Sequence, residues 1–324
     1  MIPGALNVGT RVYSERVLGM IATALGGPEV LRVTELPDPE AGPGQVVVRI
    51  RAVCVHPADV AATTGEIPRG PVMPPFLPGW DIAGEVVSVG PDTAEFQVGD
   101  RVAGMIPWYE TRGAPGGYAE FVAADTGWLV PLPDGLDFVP AATVPLNAQT
   151  AHQGMGLISM DLLPAGSSLL VTGASGGVGG FAAQFAVQDG YQVLAQASDG
   201  DEEWVRSLGV HEVISRSVDL AAVGPVAAVF DAVPLGEAAV AAVRDRGVVV
   251  ATRPVAPIVP SRGVRQDLQL IRLDRALLAD LVARVAAGRL RTRVAATMPL
   301  TEAADAHRRV LAGGLHGKIV LTAG

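Results

Sequence analysis

The stretch VTGASGGVGG, residues 171–180, packs five glycines into ten residues between an apolar run and a small-residue run, FAAQFAVQDG. Small residues at such a point allow a tight turn and a close approach of backbone to a pyrophosphate. A helix beginning there adds free N–H groups and the positive end of its dipole. Two spacings fit the residues. One is Thr172, Gly173, Gly177 and Gly179, a Thr-Gly-x-x-x-Gly-x-Gly loop. The other is Ala-x-Gly-x-x-Gly, carried by Ala174, Gly176 and Gly179, with Ser175, Gly177 and Val178 between them. A glycine spacing alone is a weak signal, and it gains weight from a strand before it and a helix and second strand after it.

The first spacing is that of short-chain dehydrogenases, which pair it with a Tyr-x-x-x-Lys dyad whose lysine lowers the tyrosine pKa. This chain has one lysine, Lys318, and the residue four before it is Gly314. Those enzymes also carry the loop near the N-terminus, whereas about half of this chain precedes it. The second spacing therefore stands.

Two kinds of text surround the loop. Before it, runs such as QVVVRIRAVCV, separated by Gly/Pro clusters such as PDPEAGPG, predict an antiparallel barrel with long loops. After it, YQVLAQAS, DEEWVRSLG, EVIS, AAVFDAV and GVVVAT alternate as strands and helices of a parallel α/β sheet. A helix, RALLADLVARVAAG, and a last strand, KIVLTA, close the chain. The length of 324 residues suits two domains. A net charge of −9 argues against a nucleic-acid or anionic-membrane partner, both of which demand a basic face. No stretch is apolar for long enough to span a bilayer. Cys54, the only cysteine, excludes an intrachain disulfide and a Cys-rich zinc site, and a cytoplasmic location is expected.

In order, GGPEVLRV, HPADV, LPGWDIAGEVVSVG, FQVGDRV, GGYAEFV, GASGGVG, LGVHEVI and HGKIVLT resemble the medium-chain dehydrogenase/reductases, specifically the zinc-free quinone oxidoreductase (zeta-crystallin-like) branch. The resemblance runs from about Met20 to Leu321. It implies a GroES-like antiparallel β-barrel catalytic domain over 1–147, with 1–19 an extension outside the likeness. It further implies an inserted Rossmann doubly wound domain over 148–274, and a return segment, 275–324, that completes the barrel.

The resemblance also implies that metal is absent. Matched to the zinc-dependent members, the ligand positions hold His56, Trp80 (in Gly79-Trp80-Asp81) and a residue near Leu146, and one imidazole beside an indole and an aliphatic chain makes no tetrahedral site. Without a Lewis acid an alkoxide has no stabiliser, so alcohol oxidation is disfavoured. A quinone or enone takes hydride with only a few hydrogen-bond donors to steady the developing charge.

His56 stands where the family usually has asparagine, beside the nicotinamide, and with Tyr109 is the expected catalytic pair. Trp80 and Trp108 are expected to line the substrate pocket, the bland alternative being barrel packing. Ala61, Ala62 and Thr63 replace a stretch that often holds a tyrosine, which implies a wider pocket. Tyr118 is read as packing, Asp59 as structural and Cys54 as a buried small residue. Thr150 matches a cofactor-contacting threonine at the domain junction. At the end of the second Rossmann strand, Ala197 takes the place of the acid that NAD enzymes use, with Ser198 next, and Arg216 falls near where a 2′-phosphate would sit. Asp199 and Asp201 oppose that phosphate by charge. NADPH is the expected cofactor, with NADH as the alternative.

The function expected is zinc-independent, NADPH-dependent reduction of a small quinone or α,β-unsaturated carbonyl compound, enoyl reduction in a biosynthetic route included, by a homodimer. The alternative is a non-catalytic NADP(H)-binding redox sensor or structural protein.

Overall fold

The computed structural model describes residues 17–68, 70–158, 163–254 and 262–324. The first part of the chain forms β1 (Val17–Ala22), β2 (Leu31–Leu36), β3 (Gln45–Cys54), α1 (Pro57–Thr64), β4 (Asp81–Val89), β5 (Arg101–Met105), α2 (Trp108–Thr111), β6 (Phe121–Asp125), β7 (Leu129–Pro131) and α3 (Phe138–Ala141). Next come α4 (Pro145–Leu157), β8 (Ser168–Thr172), α5 (Gly177–Gln188), β9 (Gln192–Ala197), α6 (Glu202–Arg206), β10 (Glu212–Ser215), β11 (Val226–Asp231), α7 (Glu237–Ala242), β12 (Val243–Ala251) and β13 (Arg265–Leu268). The chain ends with α8 (Arg275–Ala286), β14 (Val294–Pro299), α9 (Ala303–Ala312) and β15 (Lys318–Thr322).

Strands β8 to β13 make one parallel sheet in the order β10-β9-β8-β11-β12-β13. Counted from β8 this is 3-2-1-4-5-6, the Rossmann order, in which the crevice opens where the winding reverses, between β8 and β11. Their sequences explain the placement. All six residues of VAAVFD in β11 are buried, as a central strand covered on both faces requires. Alternate residues feed opposite layers: Leu169 and Val171 pack with α5 residues Phe181 and Ala182 on one face. Leu170 and Val229 pack with Val240 on the other.

The second sheet runs β14-β15-β3-β4-β5-β7, with β6 also paired to β3. The end of the chain thus completes a sheet begun near its start. Leu321 and Ile319 share one core with Ile50, Val53, Ile82 and Trp80. Residues 17–19, expected in an extension, instead start β1, where Val17 pairs with Leu36. The rest of that extension lies outside the described residues. The expected boundary at 147/148 falls inside α4, a continuous helix that joins the two sheets.

Register decides what meets at the barrel mouth. Antiparallel pairing of Cys54 with Val320 carries Lys318, two residues earlier, alongside His56, two residues later, and the Val55 N–H donates to the Ile319 carbonyl at 2.9 Å. Pairing of Cys54 with Asp81 brings that carboxylate to the same point.

Candidate active site

The glycine loop leaves β8 through Gly173, whose φ of +63° only glycine adopts at little cost. Gly176 caps the start of α5 with extended backbone. A Cβ on Gly179 would lie 2.3 Å from the Gly173 carbonyl oxygen and 2.8 Å from that of Thr172, so this glycine lets helix and strand touch. A Cβ on Gly177 would strike Asn147 and the Lys318 stem. The Ala174 N–H donates to the Gln196 carbonyl at 3.0 Å, and the Ser198 N–H donates to Ser175 Oγ at 3.0 Å. Both bonds tie the loop to the end of β9. Thr172 Oγ1 donates to Asp231 Oδ1 at 2.7 Å, closing the other side of the crevice. The cradle fits a dinucleotide pyrophosphate, since backbone is exposed and side chains are kept out.

At the far end of the crevice the Arg216 N–H donates to the Ala197 carbonyl at 3.1 Å, which sets Arg216 beside Ser198. The Arg216 side chain is exposed. Asp201 departs from its expected role as an open negative charge. It is buried and engages Arg293 Nη1 at 2.5 Å and His316 Nδ1 at 2.8 Å. Burial pushes its pKa up, but these hydrogen bonds win and hold it below the usual value. Asp199 is exposed.

Between the two sheets lies a cavity of about 410 Å³. His56, Trp80, Tyr109, Thr150 and Val178, all expected in the site, line it together with Asn147, Leu146, Arg253 and Gln269. Thr150 Oγ1 and Trp80 Nε1 are buried without a protein partner. An unsatisfied buried hydroxyl or N–H costs free energy unless a ligand or water completes it, so both atoms suit a bound group. Tyr109 stands edge-on to Trp80, with ring centroids 4.7 Å apart and an interplanar angle of 81°.

Trp108 does not join this lining. It is fully buried between Phe76 and Trp80, and its indole N–H donates to the Leu77 carbonyl at 2.7 Å. The Pro107 turn that opens α2 sends adjacent aromatics opposite ways, one into the barrel core and one to the cavity.

Behind the cavity wall is a buried polar cluster. His56 Nε2 meets Asp81 Oδ2 at 3.0 Å, and its Nδ1 meets Lys318 Nζ at 3.5 Å. Asp81 also accepts from the Leu146 N–H at 2.9 Å. Asp59, at the third position of α1, accepts from the His56 N–H at 2.7 Å and the Gly79 N–H at 2.8 Å, completing a capping box. Burial, then the Lys318 charge, lowers His56 well below its usual pKa, so the ring is neutral at neutral pH. Burial raises Asp81 well above the carboxylate range and Asp59 to about 7. It pushes the Cys54 thiol up to about 12, leaving it unreactive. Sequence reading missed Asp81, Asn147, Lys318 and Arg253, which lie far apart in the chain. Only the HGKIV match hinted at Lys318.

Comparison with known proteins agrees with the fold. Residues 42–134 match the alcohol dehydrogenase GroES-like domain and residues 208–321 the zinc-binding dehydrogenase model. The human quinone oxidoreductase is 29% identical over 320 residues, covering 91% of this chain and 94% of that protein. The Lama guanicoe quinone oxidoreductase is 37% identical over 201 residues, 60% of this chain and 57% of that protein. The quinone oxidoreductase structure from Coxiella burnetii superposes with a TM-score of 0.84 at 25% identity, covering 95% of this chain and 99% of that one. The chain belongs to the medium-chain dehydrogenase/reductases, of the quinone oxidoreductase type.

As such it is an oxidoreductase, from a family whose members bind NAD(P)H. At the matched ligand positions the described residues offer zinc no fitting set of donors. The matched ligand positions present Trp80, Leu146 and a His56 ring whose two nitrogens already face Asp81 and Lys318. Among the described residues no three His, Cys, Asp or Glu side chains converge to hold a metal ion. Among them, too, no helix is long and apolar enough to cross a membrane.

Proposed function

We propose that this medium-chain reductase uses NADPH, without a metal, to reduce a quinone or the conjugated double bond of an α,β-unsaturated carbonyl compound. The observation that carries the reading is the cavity itself. It runs from the start of α5 and Thr150 to an aromatic wall of Trp80 and Tyr109, with an indole and an isobutyl group at the matched metal-ligand positions. A bound dihydronicotinamide supplies the hydride. The chain supplies an aromatic corner, with Tyr109 edge-on to Trp80, for a planar acceptor, and unpartnered donors, Thr150 Oγ1 and Trp80 Nε1, for charge that develops on its oxygen. Tyr109 is assigned proton delivery. His56 is assigned a positioning role, because a neutral ring held at both nitrogens has no ready proton to give.

The preference for NADPH rests on Arg216 beside Ser198 at the ribose end, and on the neutralised Asp201. We further read residues 1–147 with 275–324 as the catalytic unit, 148–274 as the dinucleotide unit, and the working form as a homodimer.

The test is steady-state turnover of metal-free protein with a panel of quinones, enones and alcohols. The expected result is turnover of quinones or enones with a higher kcat/KM for NADPH than NADH, undiminished by chelator. Activity confined to alcohols and dependent on stoichiometric zinc would sink the reading.

A further inference from the structure

The two walls of the cavity differ in charge. The barrel wall brings Glu66 to the rim, whereas the wall built on the C-terminal ends of the parallel strands brings Thr252, Arg253 and Gln269. Among the described residues Arg253 is the one cation in the lining, and it makes no hydrogen bond or ion pair with any of them. Its neighbour Asp231 acts on it only at a distance, since the Asp231 oxygens are committed to Thr172 Oγ1 and to the Val233 and Leu235 N–H groups. The Arg253 side chain is exposed at the cavity mouth, and the protein packed around it still lowers the guanidinium pKa from its usual value.

Neither phosphate site of a dinucleotide accounts for this charge. The pyrophosphate cradle is at the end of β8 and the 2′-phosphate position at the ends of β9 and β10. Arg253 follows β12, on the opposite side of β8 with β11 between. Two strand spacings separate it from the cradle, roughly 9–10 Å. The half of the crevice it occupies is the one that takes the nicotinamide end of a dinucleotide, and the same cavity continues from it to His56 and Trp80 on the barrel wall.

We propose that Arg253 binds a carboxylate on the substrate, so that the acceptor of this enzyme is an acidic enone or quinone rather than a neutral one. The assignment rests on the reading of the cavity as a reductase site. A planar guanidinium offers a carboxylate two parallel charge-assisted hydrogen bonds, which a lysine or a neutral donor does not. Glu66 on the facing rim orients the acid toward Arg253 by repulsion.

Levulinate and methyl levulinate, which cannot be reduced at a conjugated bond, are titrated into the NADP⁺-loaded protein, and acetylacrylate and its methyl ester are assayed for turnover. Levulinate is expected to bind at least about tenfold tighter than its ester. R253Q should abolish that preference and R253K restore part of it, with the Kd for NADPH itself unchanged, and E66Q should tighten levulinate a few-fold. Equal binding of acid and ester, a preference that survives R253Q, or a loss of NADPH affinity in R253Q would overturn the assignment. A levulinate preference lost in R253Q, with no reduction of either acetylacrylate compound or of any other enone or quinone, leaves the anion site standing and fells the reductase reading instead.

Discussion

The two halves of the crevice are built from different materials. At the dinucleotide end the working surface is backbone: Gly173, Gly176 and Gly179 matter for what they lack, and a Cβ at Gly179 would collide with main chain that cannot move aside. At the barrel end the working surface is side chain. His56, Asp59, Asp81 and Lys318 form a buried network drawn from two strands and the start of a helix. A backbone surface fails by steric exclusion, at one position. A side-chain network fails electrostatically, and the damage depends on pH because its members can trade protons.

The strongest way to break the contrast is Lys318→Met. It removes the one cation beside two buried carboxylates and should cost about 3–5 kcal/mol at alkaline pH, the usual penalty for stranding buried charge. The loss should shrink on acidification, as Asp59 and Asp81 take up protons and no longer need a counter-charge. Denaturant unfolding at several pH values measures it. A loss that does not vary with pH would mean that Lys318 matters only as a packing stem.

Asp59→Asn sharpens the same point from the other side. The folded protein keeps Asp59 protonated up to about pH 7, against an ordinary value of 3.8. Between those values the folded state holds more protons than the unfolded one, so this group's contribution to stability falls as pH rises from about 4 to about 7, then levels off. The span corresponds to on the order of 4 kcal/mol. The stability of wild type minus that of Asp59→Asn should therefore decline across that window. A flat difference would show that Asp59 titrates as an ordinary carboxylate.

The contrast also explains what could be read before the fold was known. The glycine loop, the strand on either side and the Rossmann alternation were legible because each is a local pattern, written in consecutive residues. Trp80 and Tyr109 came through the motif matches, and both line the cavity. Trp108 went astray because adjacent residues on a one-turn helix face different ways, and the sequence does not say which faces the core. Lys318 and Asp81 were out of reach: their role depends on the register of β15 and β4 against β3, and a shift by one residue would turn each side chain to the other face. Asp201 was misjudged for a like reason, since its partners Arg293 and His316 lie about a hundred residues away.

On the backbone side, Gly179→Ala should destabilise the protein by about 1–3 kcal/mol, the range for forcing an extra methyl into packed surroundings. It should weaken NADPH binding in parallel, because relief of the clash with the Gly173 carbonyl can come only from moving helix or loop. Unlike the two barrel substitutions, its cost should be the same at every pH. Thermal unfolding and quenching of protein fluorescence by NADPH measure the two effects, and unchanged NADPH affinity would detach the helix contact from the cradle.

The smallest effect expected is at the exposed side chain by which the dinucleotide half would choose its cofactor. Arg216 is exposed, held near Ser198 only through its own N–H on the Ala197 carbonyl. An exposed cation meeting a phosphate is screened by solvent and salt, so its contribution is far below that of a buried pair. Arg216→Ala should weaken NADPH by about tenfold, roughly 1.4 kcal/mol, and leave NADH unchanged. The loss should fade as ionic strength rises. That combination separates a charge that selects between cofactors from a backbone cradle that holds both: equal weakening of NADPH and NADH would assign Arg216 to the loop's architecture, and no weakening of either would return the 2′-phosphate to Ser198 and its neighbours alone.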